Sequence, residues 1–363
     1  MAPSAERPQV HSVAVELTTR CNQDCAYCYN AWPSERGGRP PAGEADRVVG
    51  RVRRLLGAWQ LDHVTLTGGE PLLAPAVWPV LDLLRERRTS AQIISNGGLI
   101  DEALAARLAP YALRYVQVTL NGPAAPLHDE HAGGPGHFAR AVAGIRALAR
   151  AGVPVGGCTV LTRKNAASVG AILALFQSLG VRQVALSRFS PAGRAVRHAA
   201  ALLPTLGDVA AAFVQALPFA REHGMQLSCT MPVPLCMIEA KDFAPIQFGS
   251  CAVGTSVQEL ALGPDGRIRN CTLHREALGD GRDILDPGVD LGALLADERV
   301  TGYRCTVPEF CRGCLHAQSC GGGCGAAAEW VFGAAGLRLP DPFLWQHVDD
   351  ELAARLEQER AER

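Results

Sequence analysis

The chain has 363 residues, enough for one large domain and a smaller one, each with its own core. Apolar residues make up 48% and charged residues 20%, and a net charge of −1 gives no electrostatic argument for nucleic acid or an anionic membrane. Residues 1–10 are polar and contain proline, without the apolar run of a signal peptide, and no stretch of about 18 apolar residues follows. A cytoplasmic protein with no membrane partner is therefore expected. There are 13 cysteines, an odd count, and nine of them lie after residue 225. In a reducing compartment, clustered cysteines read as metal ligands before they read as disulfides.

The short apolar run Val13 to Leu17 predicts a first strand. Residues 44–58 carry Val48, Val49, Val52, Leu55 and Leu56 at helical spacing, with arginines on the other side. His63 to Leu66 predicts a strand ending in Gly68-Gly69, and residues 76–87 a helix. Gln92 to Ile94 predicts a strand ending at Asn96-Gly97, followed by a helix over 101–109 and an extended Tyr115 to Leu120. A helix over 137–151, extended Val153 to Leu161, a helix over 166–179 and extended Gln183 to Leu186 continue the alternation. About six strand–helix units argue for parallel strands with crossover helices, whose functional loops gather at the carboxyl ends of the strands. The early cysteines, Gly68-Gly69-Glu70, Ser95-Asn96-Gly97 and Asn121-Gly122 all follow predicted strands, so they are expected on one rim. After one more helix over 207–223, residues 251–325 hold seven cysteines and few apolar runs. Such a segment needs staples, which metal clusters supply. The tail, 347–363, reads as a charged, solvated helix.

Cys21, Cys25 and Cys28 place three thiols within eight residues of a loop after a strand. Soft thiolates suit iron–sulfur clusters and zinc. A structural zinc site wants a fourth ligand nearby, and the next histidine is His63. Zinc and plain core cysteines are the alternatives. The loop CNQDCAYCYN resembles the cluster-binding loop of the radical S-adenosylmethionine (SAM) superfamily, with Tyr27 at the usual aromatic position beside the last ligand. That resemblance implies a [4Fe–4S] cluster with one open iron that chelates SAM. Gly68-Gly69-Glu70-Pro71 is similar to the family's GGEP motif, implying contact with the SAM ammonium. Ser95-Asn96-Gly97 resembles its ribose- and carboxylate-contacting segment. Residues 119–140 resemble a segment of the peptide-modifying branch, with two departures. Asn121 stands where Asp is usual, and Glu130, His131 and Ala132 stand where arginines are usual. Arg140, His131 and Arg188 are the candidates to compensate. Arg188 to Ala195, RFSPAGRA, also matches that branch, or is simply a loop.

In the second half, Cys251-x14-Gly266-x4-Cys271 is followed by Cys311-x2-Cys314-x5-Cys320-x3-Cys324. This resembles the SPASM domain, which carries two auxiliary [4Fe–4S] clusters; a zinc ribbon is the plainer alternative. The resemblance implies that Cys251, Cys271 and Cys324 ligate the first auxiliary cluster, and Cys311, Cys314 and Cys320 the second. The family closes the second with a cysteine after a string here reading Pro340-Asp341-Pro342-Phe343, but the next residue is Leu344. Cys305 is the expected substitute, Asp341 the runner-up and an open iron third. Cys236 is the expected fourth ligand of the first auxiliary cluster. Cys158 and Cys229 read as buried structural thiols; together with Cys236 they are the catalytic candidates, as hydrogen-atom donors.

The resemblance thus implies a partial (β/α)6 TIM-like barrel over residues 1–204, a connecting helix and bridge over 205–230, a SPASM-like domain over 231–345 and the charged helix 346–363. It implies reductive cleavage of SAM to a 5′-deoxyadenosyl radical that abstracts a substrate hydrogen, with oxidative modification or cross-linking of a ribosomal peptide. A dehydrogenase or epimerase of an aminocyclitol-type small molecule is the alternative. An iron–sulfur electron-transfer protein is the non-enzymatic one. A flavodoxin- or ferredoxin-type reductant is expected. About a dozen residues precede the first strand, so a peptide-recognition module is expected on a separate partner protein.

Overall fold

Strands alternate with helices through the first two thirds of the chain, and the strands lie parallel. The computed structural model describes residues 7–32, 41–305, 307–333 and 339–347. In chain order the elements are β1 (Gln9–Glu16), α1 (Glu44–Ala58), β2 (Gln60–Thr67), α2 (Val77–Glu86), β3 (Ser90–Ser95), α3 (Glu102–Leu108) and β4 (Val116–Thr119). Then come α4 (Ala125–Ala132), α5 (His137–Arg150), β5 (Val155–Leu161), α6 (Val169–Ser178), β6 (Gln183–Arg188), α7 (Ala199–Leu202) and α8 (Leu206–Arg221). Short strands follow: β7 (Gln226–Cys229), β8 (Gln247–Phe248), β9 (Glu259–Leu262) and β10 (Ile268–Arg269). The six expected strand–helix units are all present. The segment 119–140 adds α4, which its weak apolar pattern did not predict. The charged helix expected over 347–363 lies beyond the described residues, apart from His347.

Strands β1 to β8 pair with their sequence neighbours, every pair parallel. β1 and β2 are buried most continuously towards their carboxyl ends, as in β2, where Val64 to Thr67 are all buried. The crossover helices cover the outer face. Their apolar stripes (Val48, Val52, Leu55 and Leu56 on α1; Ile172, Leu173 and Phe176 on α6) join one core with the strands. Gly157 of β5 is required by this packing, because a Cβ there would stand 2.8 Å from the Phe176 ring.

The second half departs from the expectation of a small domain held by metal clusters alone. β9 pairs in parallel with β1, aligning Ser12 with Glu259 and Val15 with Leu262, and β10 returns antiparallel to β9. This hairpin extends the sheet past β1. Leu260, Leu262, Ile268, Leu278, Ile284 and Leu294 all enter the main core. Residues 231–345 therefore share sheet and core with the barrel.

Polar ties complete the seam. Arg51, expected on the solvent side of α1, is buried. Its guanidinium grips both carboxylate oxygens of Asp283, and its Nη1 donates to the Pro264 carbonyl at 2.8 Å. Arg54 donates to the carbonyls of Ile284, Asp286 and Val289. Glu16, at the end of β1, pairs with Arg269 of β10, both buried. Among the described residues, no single helix is long and apolar enough to cross a membrane.

Removing the Arg51 side chain leaves Asp283 and the Pro264 carbonyl without their shared donor. Arg51→Ala is expected to cost about 2–3 kcal/mol in urea-unfolding measurements. Limited proteolysis should accelerate first within residues 264–290; an unchanged unfolding midpoint would show that the seam does not depend on this contact.

Candidate functional site

Continuing past its sheet edge, the β1–β2 ladder sets up the site. Leu17 N donates to Thr67 O, Gly69 N to Thr18 O and Glu70 N to Arg20 O, all at 2.8–2.9 Å. The loop after β2 thus lies against the chain entering the cysteine loop. A Cβ on Gly69 would sit 2.1 Å from the Arg20 carbonyl oxygen, and one on Gly68, whose φ is 135°, 2.8 Å from that of Thr18. The two glycines are required for this backbone approach.

Two further segments clasp the cysteine loop. From α4, the carbonyls of Ala132 and His131 accept from Asp24 N and Ala26 N. Gly133 packs so closely that a Cβ would stand 2.3 Å from Asp24 O. From the segment after β6, Ala195 N donates to Cys28 O at 3.0 Å, and Arg194 reaches the Asp24 carboxylate at 2.6 Å. The RFSPAGRA stretch is therefore more than a loop: through Arg194 and Ala195 it holds the loop that carries the three thiols. Asn30 anchors the far end by donating to Gly68 O.

Cys21, Cys25 and Cys28 are half-buried and close enough to act on one another electrostatically. Burial and the neighbouring thiols push Cys21 up to about 11 and Cys25 up to about 12. Three crowded thiols resist ionising together, so binding a cationic centre must displace their protons. Among the described residues, no three His, Cys, Asp or Glu side chains converge on the position of a single metal ion. Three thiols carried close together on one short loop suit a cubane, whose irons each take one thiolate. Tyr27 is half-buried against this loop, its hydroxyl bonded to the Cys25 thiol.

Beside the thiols, Glu70 is buried. Its Oε1 accepts from Ser95 Oγ at 2.8 Å and Leu72 N at 3.2 Å, and its Oε2 from Asn96 N at 2.9 Å. All three donors are neutral, and burial pushes the carboxyl up to about 7. Glu70 thus ties the β2 loop to the β3 loop. Asn96 in turn donates to Asn22 Oδ1 at 2.7 Å, within the cysteine loop. Pro71 opens the turn that follows Glu70. The motifs after β1, β2 and β3 are therefore one hydrogen-bonded unit. Asn22 and Asn30 were not singled out from sequence, since polar residues in a cysteine loop carry no pattern of their own.

Of the candidates from 119–140 and beyond, Asn121 is buried with Oδ1 accepting from Val160 N, which fixes it to β5. His131 is engaged through Nδ1 with Leu127 O and through Nε2 with Thr162 Oγ1. Arg188, expected as a cofactor contact, is fully buried. It donates to the carbonyls of Pro232 and Phe189 and pairs with Asp341. These bonds occupy both Arg188 and Asp341. Asp341 also accepts from Cys324 N and Phe343 N, so the runner-up ligand is already fully bonded. Arg140 is exposed, hydrogen-bonded to His137 Nδ1, and its Nε lies 3.9 Å from where a Cβ on Gly98 would be. Of the three compensating candidates it is the exposed one.

In the second half the thiols fall into two groups. Cys251, Cys271 and Cys324 act on one another, and Tyr303 hydrogen-bonds Cys251. In the other, Cys314 and Cys320 act on Cys311, and both also act on Cys236. A cavity of about 390 Å³ lies between the groups, lined in part by Cys251, His274, Tyr303, Cys320 and Glu329. The catalytic candidates separate as well. Cys229 is a core thiol that donates to Met231 O. Cys158 is buried on β5 near enough to influence Tyr27.

Residues 15–176 match the family model described as the radical SAM superfamily. The chain carries a radical SAM domain. That domain brings with it a [4Fe–4S] cluster and SAM. Over 90% of its length the chain is 27% identical to the mycofactocin maturase MftC of Mycobacterium ulcerans, covering 85% of that protein. It is also 27% identical to the PqqA peptide cyclase of Rhodopseudomonas palustris, over 91% of this chain and 85% of the cyclase. In fold it is similar to Streptococcus suis SuiB bound to the precursor peptide SuiA, with a TM-score of 0.68, 15% identity and coverage of 88% and 72%. The AdoMet-bound anSMEcpe superposes with a TM-score of 0.68 at 18% identity, covering 94% and 95%.

Glu70 generates a pH prediction. Its folded-state pKa of about 7 lies above the ordinary 4.5, so folding takes up a proton between those values. The stability this group contributes is fully present below about pH 4.5 and is lost as pH rises through about 7. Urea midpoints should therefore carry a falling component across that window. Glu70→Gln, always neutral, is expected to flatten it; an identical slope in the variant would assign the component elsewhere.

Proposed function

We propose that this protein is a radical SAM maturase that oxidatively modifies or cross-links a ribosomal peptide. The observation that carries the reading is the single hydrogen-bonded unit formed by the three-thiol loop, Gly68-Gly69-Glu70 and Ser95-Asn96. Support for the peptide substrate comes from relatives named as a peptide cyclase and a maturase along nine tenths of the chain.

Cys21, Cys25 and Cys28 would hold the [4Fe–4S] cluster. When bound, that cluster and SAM supply one-electron reductive cleavage and abstraction of a substrate hydrogen atom. The chain's own residues bind, orient and exclude water. Glu70, a buried carboxylate with only neutral donors, suits the SAM ammonium. Gly68, Gly69 and Pro71 shape the turn that presents it, and Ser95 and Asn96 line the adjoining strand end. Arg140 takes the SAM carboxylate, the role that the bonded Arg188 and His131 leave open. Asn121 holds the neighbouring strand ends in register. The clasped loop limits the motion of these groups and so favours one geometry. Cys251, Cys271 and Cys324, and separately Cys311, Cys314 and Cys320, would hold two auxiliary [4Fe–4S] clusters suited to accepting the electron left on an oxidised peptide. A low-potential flavodoxin- or ferredoxin-type donor in the cytoplasm fits this chemistry.

Reconstituted protein with dithionite and SAM is expected to release 5′-deoxyadenosine. The combined Cys21→Ala, Cys25→Ala and Cys28→Ala variant should release none, and intact release would sink the reading. Deuterium transfer from a labelled candidate peptide into 5′-deoxyadenosine then identifies the carbon attacked.

Arg140 gives a sharper test. Loss of one charge-assisted contact predicts about tenfold weaker SAM binding in Arg140→Ala, read by equilibrium dialysis, with little change in unfolding. Arg188→Ala should instead destabilise the fold, by about 3–5 kcal/mol, because it strands a buried carboxylate. Equal SAM affinity in Arg140→Ala and the parent would remove Arg140 from the site.

A further inference from the structure

The second auxiliary group lacks the cysteine its framework expects at Leu344, and that position offers no ligand. Leu344 is 4% exposed, packed within the turn Pro342–Trp345 that Asp341 caps. Asp341 has both oxygens committed to Arg188, Cys324 N and Phe343 N. The search for a fourth ligand therefore moves upstream.

The loop carrying Cys236 is fastened to this region by a continuous chain of contacts. Arg188 donates from Nε and Nη2 to Pro232 O, at 3.2 and 2.8 Å, and from Nη2 to Asp341 Oδ2. Asp341 N donates to Gly322 O at 2.9 Å. Gly322 in turn lies against Cys311: a Cβ there would stand 3.3 Å from the Cys311 sulfur. Met231 packs on Cys324 and Ala327, while Val233 and Ile238 enter the core on either side of Cys236. Cys236 itself is exposed, as is Cys314, while Cys320 is half-buried and Cys311 buried.

We infer that Cys236 is the fourth protein ligand of the second auxiliary cluster, completing the set Cys236, Cys311, Cys314 and Cys320. This rests on the auxiliary-cluster reading given above. Each thiol would bind as a thiolate and release its proton to solvent. Charge coupling agrees with the grouping. Cys320 and Cys314 both act on Cys236, and Cys320, Cys236 and Cys314 act on Cys311. Cys305 is exposed on the turn Tyr303–Cys305, whose Arg304 is bound to the carbonyls of Cys251, Val253 and Gln318 and so spans the two groups. The assignment reverses both sequence expectations: Cys305 is not the substitute, and Cys236 does not serve the first auxiliary group, which keeps three thiols.

The test uses full-length protein in the combined Cys21→Ala, Cys25→Ala and Cys28→Ala background, so that only auxiliary iron is counted. That parent should hold about eight irons per chain after anaerobic reconstitution. Adding Cys236→Ala should remove about one to four irons, with a [3Fe–4S] signal in electron paramagnetic resonance or loss of one Mössbauer component. Adding Cys305→Ala should change neither. The reverse pattern, or an undisturbed second cluster in Cys236→Ala, overturns the inference. A parent without iron instead overturns the auxiliary-cluster reading itself. Should a variant misfold, alkylation of the unmutated chain remains decisive. Iodoacetamide should label both Cys236 and Cys305 before reconstitution and only Cys305 afterwards; labelling of Cys236 in the loaded protein refutes its ligation.

Discussion

The site depends on one close backbone contact. Thr18 to Arg20, leading into the cysteine loop, lies directly against Gly68 and Gly69, and three hydrogen bonds carry the β1–β2 ladder past the end of the sheet. A side chain at Gly69 would occupy the space of the Arg20 carbonyl. This contact brings a loop from one strand under the loop of the next, so that Glu70 can reach Ser95 and Asn96 on the third. Without it, three loops at the carboxyl ends of three strands would be neighbours but not a unit. The other clasps, from α4 and from Arg194 and Ala195, then hold the opposite side of the same loop. A loop with few buried apolar side chains is thereby fixed by backbone hydrogen bonds, which tolerate little displacement.

Two buried ion pairs join the halves of the protein, and they carry different weight. Glu16 with Arg269 links β1 to β10, next to strands already paired through β9. Arg188 with Asp341 joins segments that share no strand: the end of β6, the loop at Pro232 and the turn at Asp341. Burying such a pair costs desolvation that attraction alone seldom repays. The return comes through the extra hydrogen bonds, from Arg188 to two carbonyls and to Asp341 from two backbone N–H groups. The pair is best understood as fixing geometry, since it sets where Cys324, Gly322 and the Cys236 loop lie relative to one another.

Much of this was legible in the residues. The strand–helix alternation through Arg188 followed from period and turn chemistry, and the convergence of the motifs on one rim followed from parallel topology. What escaped was of two kinds. The β9–β10 hairpin carries a turn signal, Pro264-Asp265-Gly266, between the short apolar runs Leu260–Leu262 and Ile268, but runs of two to four residues were too brief to be read as strands. The arginines were misread for a different reason. Periodicity assigns Arg51 and Arg188 no partner, because Asp283 and Asp341 are 232 and 153 residues away. Long-range pairing of charged side chains leaves no local pattern, so a buried arginine looks like a solvated one until the fold is known.

The same limit explains why Cys305 looked like the natural substitute for the cysteine missing at Leu344. It is near in sequence to Cys311, and spacing was the only measure at hand. In space, the relevant measure is which loop is carried to the thiols. The Pro340-to-Leu344 string, where a ligand was expected, has become an anchor: Asp341 caps its turn, Phe343 and Leu344 fill the core, and the Arg188 guanidinium stacks on the Phe343 ring at 4.6 Å. That anchor engages Arg188, and Arg188 engages Pro232, four residues before Cys236. The string that occupies the downstream position therefore also fastens the start of the loop that carries Cys236. On the ligand set inferred above, a single guanidinium would connect the position that lacks a cysteine with the loop that supplies one.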